Sequence, residues 1–437
     1  MTYLGLHTLQ HRGQESTGIV SAHEGRLYGY RKMAKVVDAY SAENLAKLPG
    51  DRAIGHVRYS TTGDSLLKNA QPFWVEYVDG GIAIAHNGNL VGSREIRKRL
   101  EAQGSIFQSS MDTECIIHLM AGAPAGPLED RLRTALEQVR GAYSLLLLTE
   151  RQMVAVRDPH GFRPLVIGKA GDATVFASET CALHLAGATF VREVEPGEAV
   201  IVDSSGMRSI RLLEPAATPA PCAFEFVYFA RPDSRVFGGN VYSTRKALGA
   251  VLAEEQPADV DVVIPVPDSG VTAALGYARA IERPFEMGLI RSHYIGRTFI
   301  EPKSSIRNFG VKLKLTPVRE IIEGQRVAVV DDSVVRGTTS RKIVAMLRHA
   351  GAKEVHFRVS SPPSRWPCHY GIDTPTREEL IASTQSVEEI RDHLGADSLG
   401  YLSLEGTLRA IGGGDTEVDG APFCHACWSG EYRVPVA

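Results

Sequence analysis

Residues 326–342 read Arg-Val-Ala-Val-Val-Asp-Asp-Ser-Val-Val-Arg-Gly-Thr-Thr-Ser-Arg-Lys. Val327–Val330 is a short, mostly β-branched apolar run, the pattern of a strand buried on both faces of a parallel sheet. Asp331 and Asp332 stand at its carboxyl end. A loop with Gly337, Thr338, Thr339 and Ser340 follows, and then Ile343, Val344, Met346 and Leu347 recur at helical spacing as far as Gly351. A strand, an acid pair, a Gly/Thr loop and a helix together describe a phosphate site in an open α/β sheet. Loop amides and the helix N-terminus hold the phosphate, and the carboxylates hold ribose hydroxyls or hydrated magnesium. Two adjacent aspartates alone could be no more than an acidic turn. The spacing is not that of a Walker A loop, because no Gly-Lys-Ser/Thr completes it.

The strand–helix alternation extends in both directions. Val260–Val266 reads as a strand ending in Pro267-Asp268-Ser269-Gly270, with a helix from Val271. Glu286–Ile290 and Val355–Val359 read as further strands. Such βαβ alternation predicts a parallel sheet with helices on both faces. Ser386 and Glu389 fit a capping box for a helix stopping near Gly395. Residues 295–315 show no period and carry Arg297, Lys303, Arg307, Lys312 and Lys314. A stretch of that length without structure inside a compact domain suggests a functional lid.

Before residue 214 the pattern is different. Strands are expected at Gly55–Tyr59, Gly81–His86, Tyr143–Leu148, Met153–Val156, Leu165–Gly168, Thr174–Ser178, Val200–Val202 and Ser209–Leu213. Helices are expected over Met1–Ser16, Ser93–Gln103 and Asp112–Met120. Many strands and few helices predict two packed sheets with helices outside. Glu214–Pro221 is Pro/Ala-rich and reads as a linker, so the domains are set at 1–221 and 222–437.

The chain has 437 residues, 43% hydrophobic and 23% charged, with net charge -3. This is ordinary globular composition for two or three domains. No basic run points to nucleic acid or an anionic membrane, and no apolar stretch reaches the length of a spanning helix. A cytoplasmic location is the expectation. Six cysteines in such a chain read as thiols or ligands rather than disulfides. Cys424-His425-Ala426-Cys427 with Cys222 and Cys368 could hold zinc or an iron–sulfur cluster, and spacing does not separate the two. Cys115 and Cys181 lie in apolar contexts and are expected in the core.

The stretch around Asp331 and Asp332 resembles the 5-phosphoribosyl 1-pyrophosphate (PRPP) signature of type I phosphoribosyltransferases. Four earlier segments resemble the glutaminase domain of N-terminal-nucleophile amidotransferases. They are Gln10–Ser16, Gly55–Thr61, Ala85–Leu90 and Ser110–Glu114. An Asn side chain and a following Gly amide, Asn87 and Gly88, can form an oxyanion hole, although Asn-Gly alone is most often a hairpin turn. Arg58 can pair with the glutamine carboxylate, Asp112 can hold its α-ammonium, and Arg12 and Gly13 would shape the pocket wall. Taken together the motifs resemble the amidophosphoribosyltransferase family over essentially the whole chain.

That resemblance implies an N-terminal-nucleophile glutaminase domain, an αββα sandwich, followed by a type I phosphoribosyltransferase domain with a parallel sheet flanked by helices. It implies that glutamine and PRPP are the substrates and that the reaction opens purine biosynthesis. PRPP would be bound by Asp268, Ser269, Asp331, Asp332, Ser333, Arg336, Gly337, Thr338 and Thr339. Magnesium would sit on Ser269, Asp331 and Asp332, under a lid carrying Arg297, Lys303, Arg307 and Lys312. It also implies a 4Fe-4S cluster on Cys222, Cys368, Cys424 and Cys427, inhibition by AMP and GMP, and a homotetramer or homodimer. In the family, an N-terminal cysteine on a strand upstream of Gln10-His11-Arg12-Gly13 attacks the amide. This sequence begins at Met1-Thr2-Tyr3, so the expectation is a chain without that nucleophile and strand, with a gap in an inner sheet and no glutaminase step. Thr2 as a substitute abuts a helix rather than a buried strand. Two alternatives remain at this stage: an ammonia-using phosphoribosyltransferase and a non-enzymatic nucleotide sensor.

Overall fold

The computed structural model describes residues 1–59, 65–292, 315–413 and 422–436. In the first half, strands β1 Ser16–His23, β2 Arg26–Lys32 and β3 Arg52–Arg58 pair in the order β2-β1-β3. A six-stranded antiparallel sheet lies across them. It is built from β4 Phe73–Tyr77, β5 Gly80–Val91, β6 Arg140–Thr149, β7 Met153–Arg157, β11 Glu198–Asp203 and β12 Gly206–Arg211, in the order β12-β11-β7-β6-β5-β4. A further three-stranded sheet joins β8 Val166–Ala170, β9 Ala173–Ala177 and β10 Thr189–Glu193 in the order β10-β8-β9.

The run of leucines in β6 explains the layering. Successive side chains on a strand point to opposite faces. Leu145 and Leu147 therefore pack on the helices Thr113–Ala121 and Leu128–Leu136, through Ile116 and Leu132. Leu146 and Leu148 face Val20 and Ile54 of the small sheet. On the outer side of that sheet, Ile19 packs with Leu6 and Leu183 from the helices Thr2–Thr8 and Thr180–Leu185. Helix, sheet, sheet and helix are stacked in that order, the expected αββα sandwich.

In the second half, β13 Arg235–Val236 and β14 Gly239–Asn240 form a small hairpin. A short antiparallel pair joins β16 Leu289–Arg291 to β17 Leu315–Pro317. The main sheet is parallel and contains β15 Val262–Pro265, β18 Arg326–Asp331, β19 Glu354–Val359 and β20 Ser398–Tyr401, in the order β15-β18-β19-β20. The apolar run of β18 is continuous because both faces are covered. Val327 and Val329 meet Ile343, Val344 and Leu347 of the helix Thr338–His349. Ala328 and Val330 meet Leu248, Leu252 and Tyr277 from the helices Val241–Glu255 and Val271–Ala280.

Several expectations need correction. The first helix stops at Thr8, and a single 3-10 turn, Gln10–Arg12, follows. Gly13 then lies flat against β3, where a Cβ would come within 2.4 Å of the Arg58 backbone nitrogen. Glu286 is not in a strand. Phe285 makes an isolated bridge to Val263, and regular pairing starts only at Leu289. The Pro/Ala-rich linker is pinned rather than free. Ala216 and Ala220 donate backbone bonds to Pro159 and His160, and Ala220 is fully buried. The capping box of Ser386 and Glu389 forms with both bonds, and Gly395 ends that helix in the left-handed conformation. No helix among the described residues is long and apolar enough to cross a membrane.

Candidate active site

The first pocket is a cavity of about 100 Å³ between the sandwich layers, lined among others by Arg12, Arg58, Asn87, Gly88 and Asp112. Asn87 and Gly88 lie within β5, not in a hairpin turn. Asn87 Nδ2 is buried and makes no hydrogen bond within the described residues. A buried donor without an acceptor is costly, and this amide can donate to an oxygen placed in the pocket. Gly88 has φ 151°, and a Cβ there would lie 2.0 Å from the Ala142 carbonyl oxygen, so only glycine fits. Asp112 caps the helix Thr113–Ala121. Its Oδ1 accepts from the Thr113 amide and its Oδ2 from the Leu90 amide, each at 2.8 Å. Arg58 is buried at the end of β3, and Gly13 packs directly on its backbone. Burial lowers the Arg58 pKa, with Glu15 and Asp112 opposing the shift. His56 Nε2 lies 3.0 Å from the His86 carbonyl oxygen. Burial first, then the charge of Arg58, pushes its pKa down to about 3.

Arg12 lines this pocket, but its guanidinium is engaged elsewhere. Nε donates to Glu179 Oε1 at 2.5 Å, and Nη2 to Glu225 Oε2 at 2.7 Å. Glu225 also faces Arg163 Nη2 at 3.0 Å. Glu179 takes His11 at 2.6 Å, the Arg231 amide at 2.8 Å and the Ser234 hydroxyl at 2.7 Å. Burial works against the Arg12 charge, but the two carboxylates outweigh it and raise its pKa. This network joins the two halves of the chain. Sequence reasoning did not find it, because its carboxylates lie 167 and 213 positions from Arg12.

No cysteine lines the pocket. Cys115 and Cys181 are buried elsewhere, and burial raises both thiols to about 12. A larger slot of about 520 Å³ adjoins the pocket, sharing Leu6, Gly55, His56 and Asn87 with it. The slot runs between Ile54–Gly55 of β3 and Thr174–Ala177 of β9, the edge strands of the two small sheets.

The second site lies where β15 and β18 end side by side, with Pro265 paired to Val330. Asp331 and Asp332 are both buried there. Asp331 Oδ1 accepts from the Asp332 amide at 2.9 Å, and Ser333 Oγ donates to Asp332 Oδ2 at 2.6 Å. Burial, then the neighbouring Asp332 charge, raises the Asp331 pKa well above the usual carboxylate range. Gly337, with φ 72°, turns the loop into the helix carrying Thr338 and Thr339. Arg336 is exposed and donates to Glu379 at 3.1 Å. On the β15 side, Asp268 pairs with Arg291, Ser269 is half-buried, and Gly270 opens the helix Val271–Ala280. Gly270 approaches so closely that a Cβ would lie 2.3 Å from the Val330 carbonyl oxygen. Arg297, Lys303, Arg307 and Lys312 lie outside the described residues, as do Ser60 and Thr61.

The four cysteines expected as ligands converge. Cys222 and Cys424 form a backbone bridge, and Tyr370 donates its amide to Cys368 Sγ at 3.3 Å. Burial, then the charges of Cys222, Cys368 and Cys424, raises the Cys427 pKa. All four are free thiols. Among the described residues, no three Cys, His, Asp or Glu side chains stand close enough together to hold a metal ion.

Two family profiles match the chain, a glutamine amidotransferase domain over residues 56–185 and a phosphoribosyl transferase domain over residues 245–366. The chain is 54% identical over 436 residues to chloroplastic amidophosphoribosyltransferase 2 of Arabidopsis thaliana, covering 99% of this chain and 77% of that protein. It is 49% identical over 437 residues to the amidophosphoribosyltransferase of Bacillus subtilis, covering 100% of this chain and 91% of that protein. A solved structure of glutamine PRPP amidotransferase from B. subtilis, complexed with ADP and GMP, superimposes with a TM-score of 0.93 at 49% identity, covering 100% of this chain and 95% of that one. With both pockets lying in segments that these relatives share along the whole chain, the protein belongs to the amidophosphoribosyltransferase family.

Proposed function

We propose that the two pockets divide the family's reaction, a transfer in purine biosynthesis, into two half-reactions, in domains that meet at Pro221 and Cys222. In the first pocket Arg58 and Asp112 hold the carboxylate and α-ammonium of glutamine, and Asn87 and Gly88 stabilise the oxyanion as the amide is hydrolysed with water to glutamate and ammonia. Arg12 and Gly13 act through the pocket wall. The ammonia released crosses inside the protein, away from bulk water, and attacks the anomeric carbon of PRPP. Pyrophosphate leaves and 5-phosphoribosylamine forms. Asp268 and Ser269 on one strand end, and Ser333, Arg336, Gly337, Thr338 and Thr339 on the other, position the phosphates and the ring.

The residues present fit magnesium. Buried Asp331 and Asp332 repel each other, and this ion is commonly held by one or two carboxylates plus substrate phosphates. When bound with Ser269, Asp331 and Asp332, it would neutralise the departing pyrophosphate. A 4Fe-4S cluster spans its ligands more widely than a single metal ion, and the free thiols of Cys222, Cys368, Cys424 and Cys427 would hold one, tying the linker, the sheet and the C-terminal tail together. AMP and GMP as inhibitors, a homotetramer or homodimer, and a cytoplasmic location complete the reading. Nucleotides in the B. subtilis structure support the first, whereas chloroplastic relatives make the compartment a matter for fractionation.

The observation that carries this reading is Asn87 Nδ2, a buried donor with no partner in the described structure, at the wall of a pocket shaped by Arg58 and Asp112. Asn87→Ala should abolish glutamine-driven transfer while leaving ammonium-driven transfer from PRPP near wild type. Unchanged glutamine-driven turnover in Asn87→Ala would overturn the assignment of the first pocket.

A further inference from the structure

Gly88 is touched from the second half of the chain. A Cβ on Gly371 would lie 2.7 Å from Gly88 Cα and 2.8 Å from its carbonyl carbon. These are backbone atoms within a paired strand, so they cannot step aside cheaply. One residue further on, Asn89 Nδ2 donates to the His369 carbonyl oxygen at 3.1 Å. The oxyanion strand is therefore gripped at two successive residues by one segment, His369–Gly371.

That segment is itself held firmly. The Cys368 amide donates to Thr374 Oγ1 at 2.7 Å, closing the segment into a loop, and the Tyr370 amide donates to Cys368 Sγ. The Tyr370 ring stacks on Phe162 at 4.2 Å. Its hydroxyl donates to the Val434 carbonyl and accepts from the Val434 amide, both at 2.9 Å. Phe162, Ala142, Tyr370 and Cys424 share one small core. Ala142 is the β6 residue whose carbonyl crowds Gly88.

We propose that the loop Cys368–Thr374 is a positioning element for the glutamine half-reaction, fixing Asn87 and Gly88 where the oxyanion develops. Oxyanion donors work only when held to a few tenths of an ångström, and a β-strand segment with a glycine at positive φ does not hold itself so tightly. Gly371 also lines the pocket, but its grip, like that of His369, falls on the strand itself, at Gly88 and Asn89. This inference rests on Asn87 and Gly88 being the oxyanion donors, whereas the mechanical grip can be measured without substrate.

The test is hydrogen exchange by mass spectrometry on the full chain, with Gly371→Ala and Asn89→Ala. Gly371→Ala should speed exchange at residues 86–91 by about tenfold or more, and Asn89→Ala by several-fold, with β15 and β18 unchanged. Asn89→Ala removes only one grip and keeps the test valid if Gly371→Ala folds poorly. In glutamine-driven turnover, kcat should fall at unchanged KM in both variants, while ammonium-driven transfer stays near wild type. Unchanged exchange at residues 86–91, or equal losses with both nitrogen sources, would overturn the proposal. Faster exchange with no loss of glutamine turnover would leave the grip standing and count against Asn87 and Gly88 as the donors.

Discussion

Replacing Arg12 with methionine should destabilise the junction between the two halves by about 3 kcal/mol, the lower end of the range for removing one member of a buried ion pair. Glu179 and Glu225 are each 0% exposed, so neither can turn to water when the guanidinium is lost. Their remaining partners limit the damage. Glu179 keeps His11, the Arg231 amide and the Ser234 hydroxyl, whereas Glu225 keeps only Arg163 among the contacts described above. Most of the loss should therefore come from Glu225. Arg12→Met combined with Glu225→Gln should cost less than the sum of the two single changes, by about 2 kcal/mol, because the second change removes the stranded charge. Equilibrium urea unfolding, read at the transition of the first half, gives all three values. A single-variant loss below about 1 kcal/mol, or strict additivity in the double variant, would refute the claim that this network joins the halves.

Further tests address the other groups. His56 refuses a proton in the folded state until about pH 3, whereas an unfolded chain takes one near 6.5. Its contribution to stability is thus present above pH 6.5 and lost as pH falls, by up to about 2 kcal/mol at pH 5. His56→Gln should flatten that part of the stability profile, and an unchanged profile would remove His56 as its cause. Gly337→Ala places a Cβ 2.8 Å from Ile381 Cδ1 at φ 72°. The side-chain tip can move but the backbone conformation cannot, so ammonium-driven turnover should fall by about tenfold. Anaerobically purified protein should be brown with about four irons per chain, and Cys427→Ser should lower soluble yield. Stoichiometric zinc without visible absorption would exclude the cluster.

The parts of the fold that could be read in the sequence were those with local causes. Val327–Val330 announced a strand buried on both faces, and Ser386 with Glu389 announced a helix start, because each pattern is closed within a few residues. β1 was not recognised, since Ser16, Thr17, Gly18 and Ser21 are buried without being apolar. The Arg12 network and the contact of Gly371 with Gly88 join residues hundreds of positions apart, and no spacing rule reaches that far. The role of the loop Cys368–Thr374 became visible only when Gly371 was found against Gly88.

The strand-end acid pair at 331 and 332 is proposed to build the PRPP transfer site. That role is tested most directly by pyrophosphate release from PRPP with ammonium salt and magnesium, comparing the wild-type chain with the double variant Asp331→Asn, Asp332→Asn. The account predicts steady turnover by the wild type and none by the double variant at equal folded concentration. Near wild-type turnover by the double variant would contradict it.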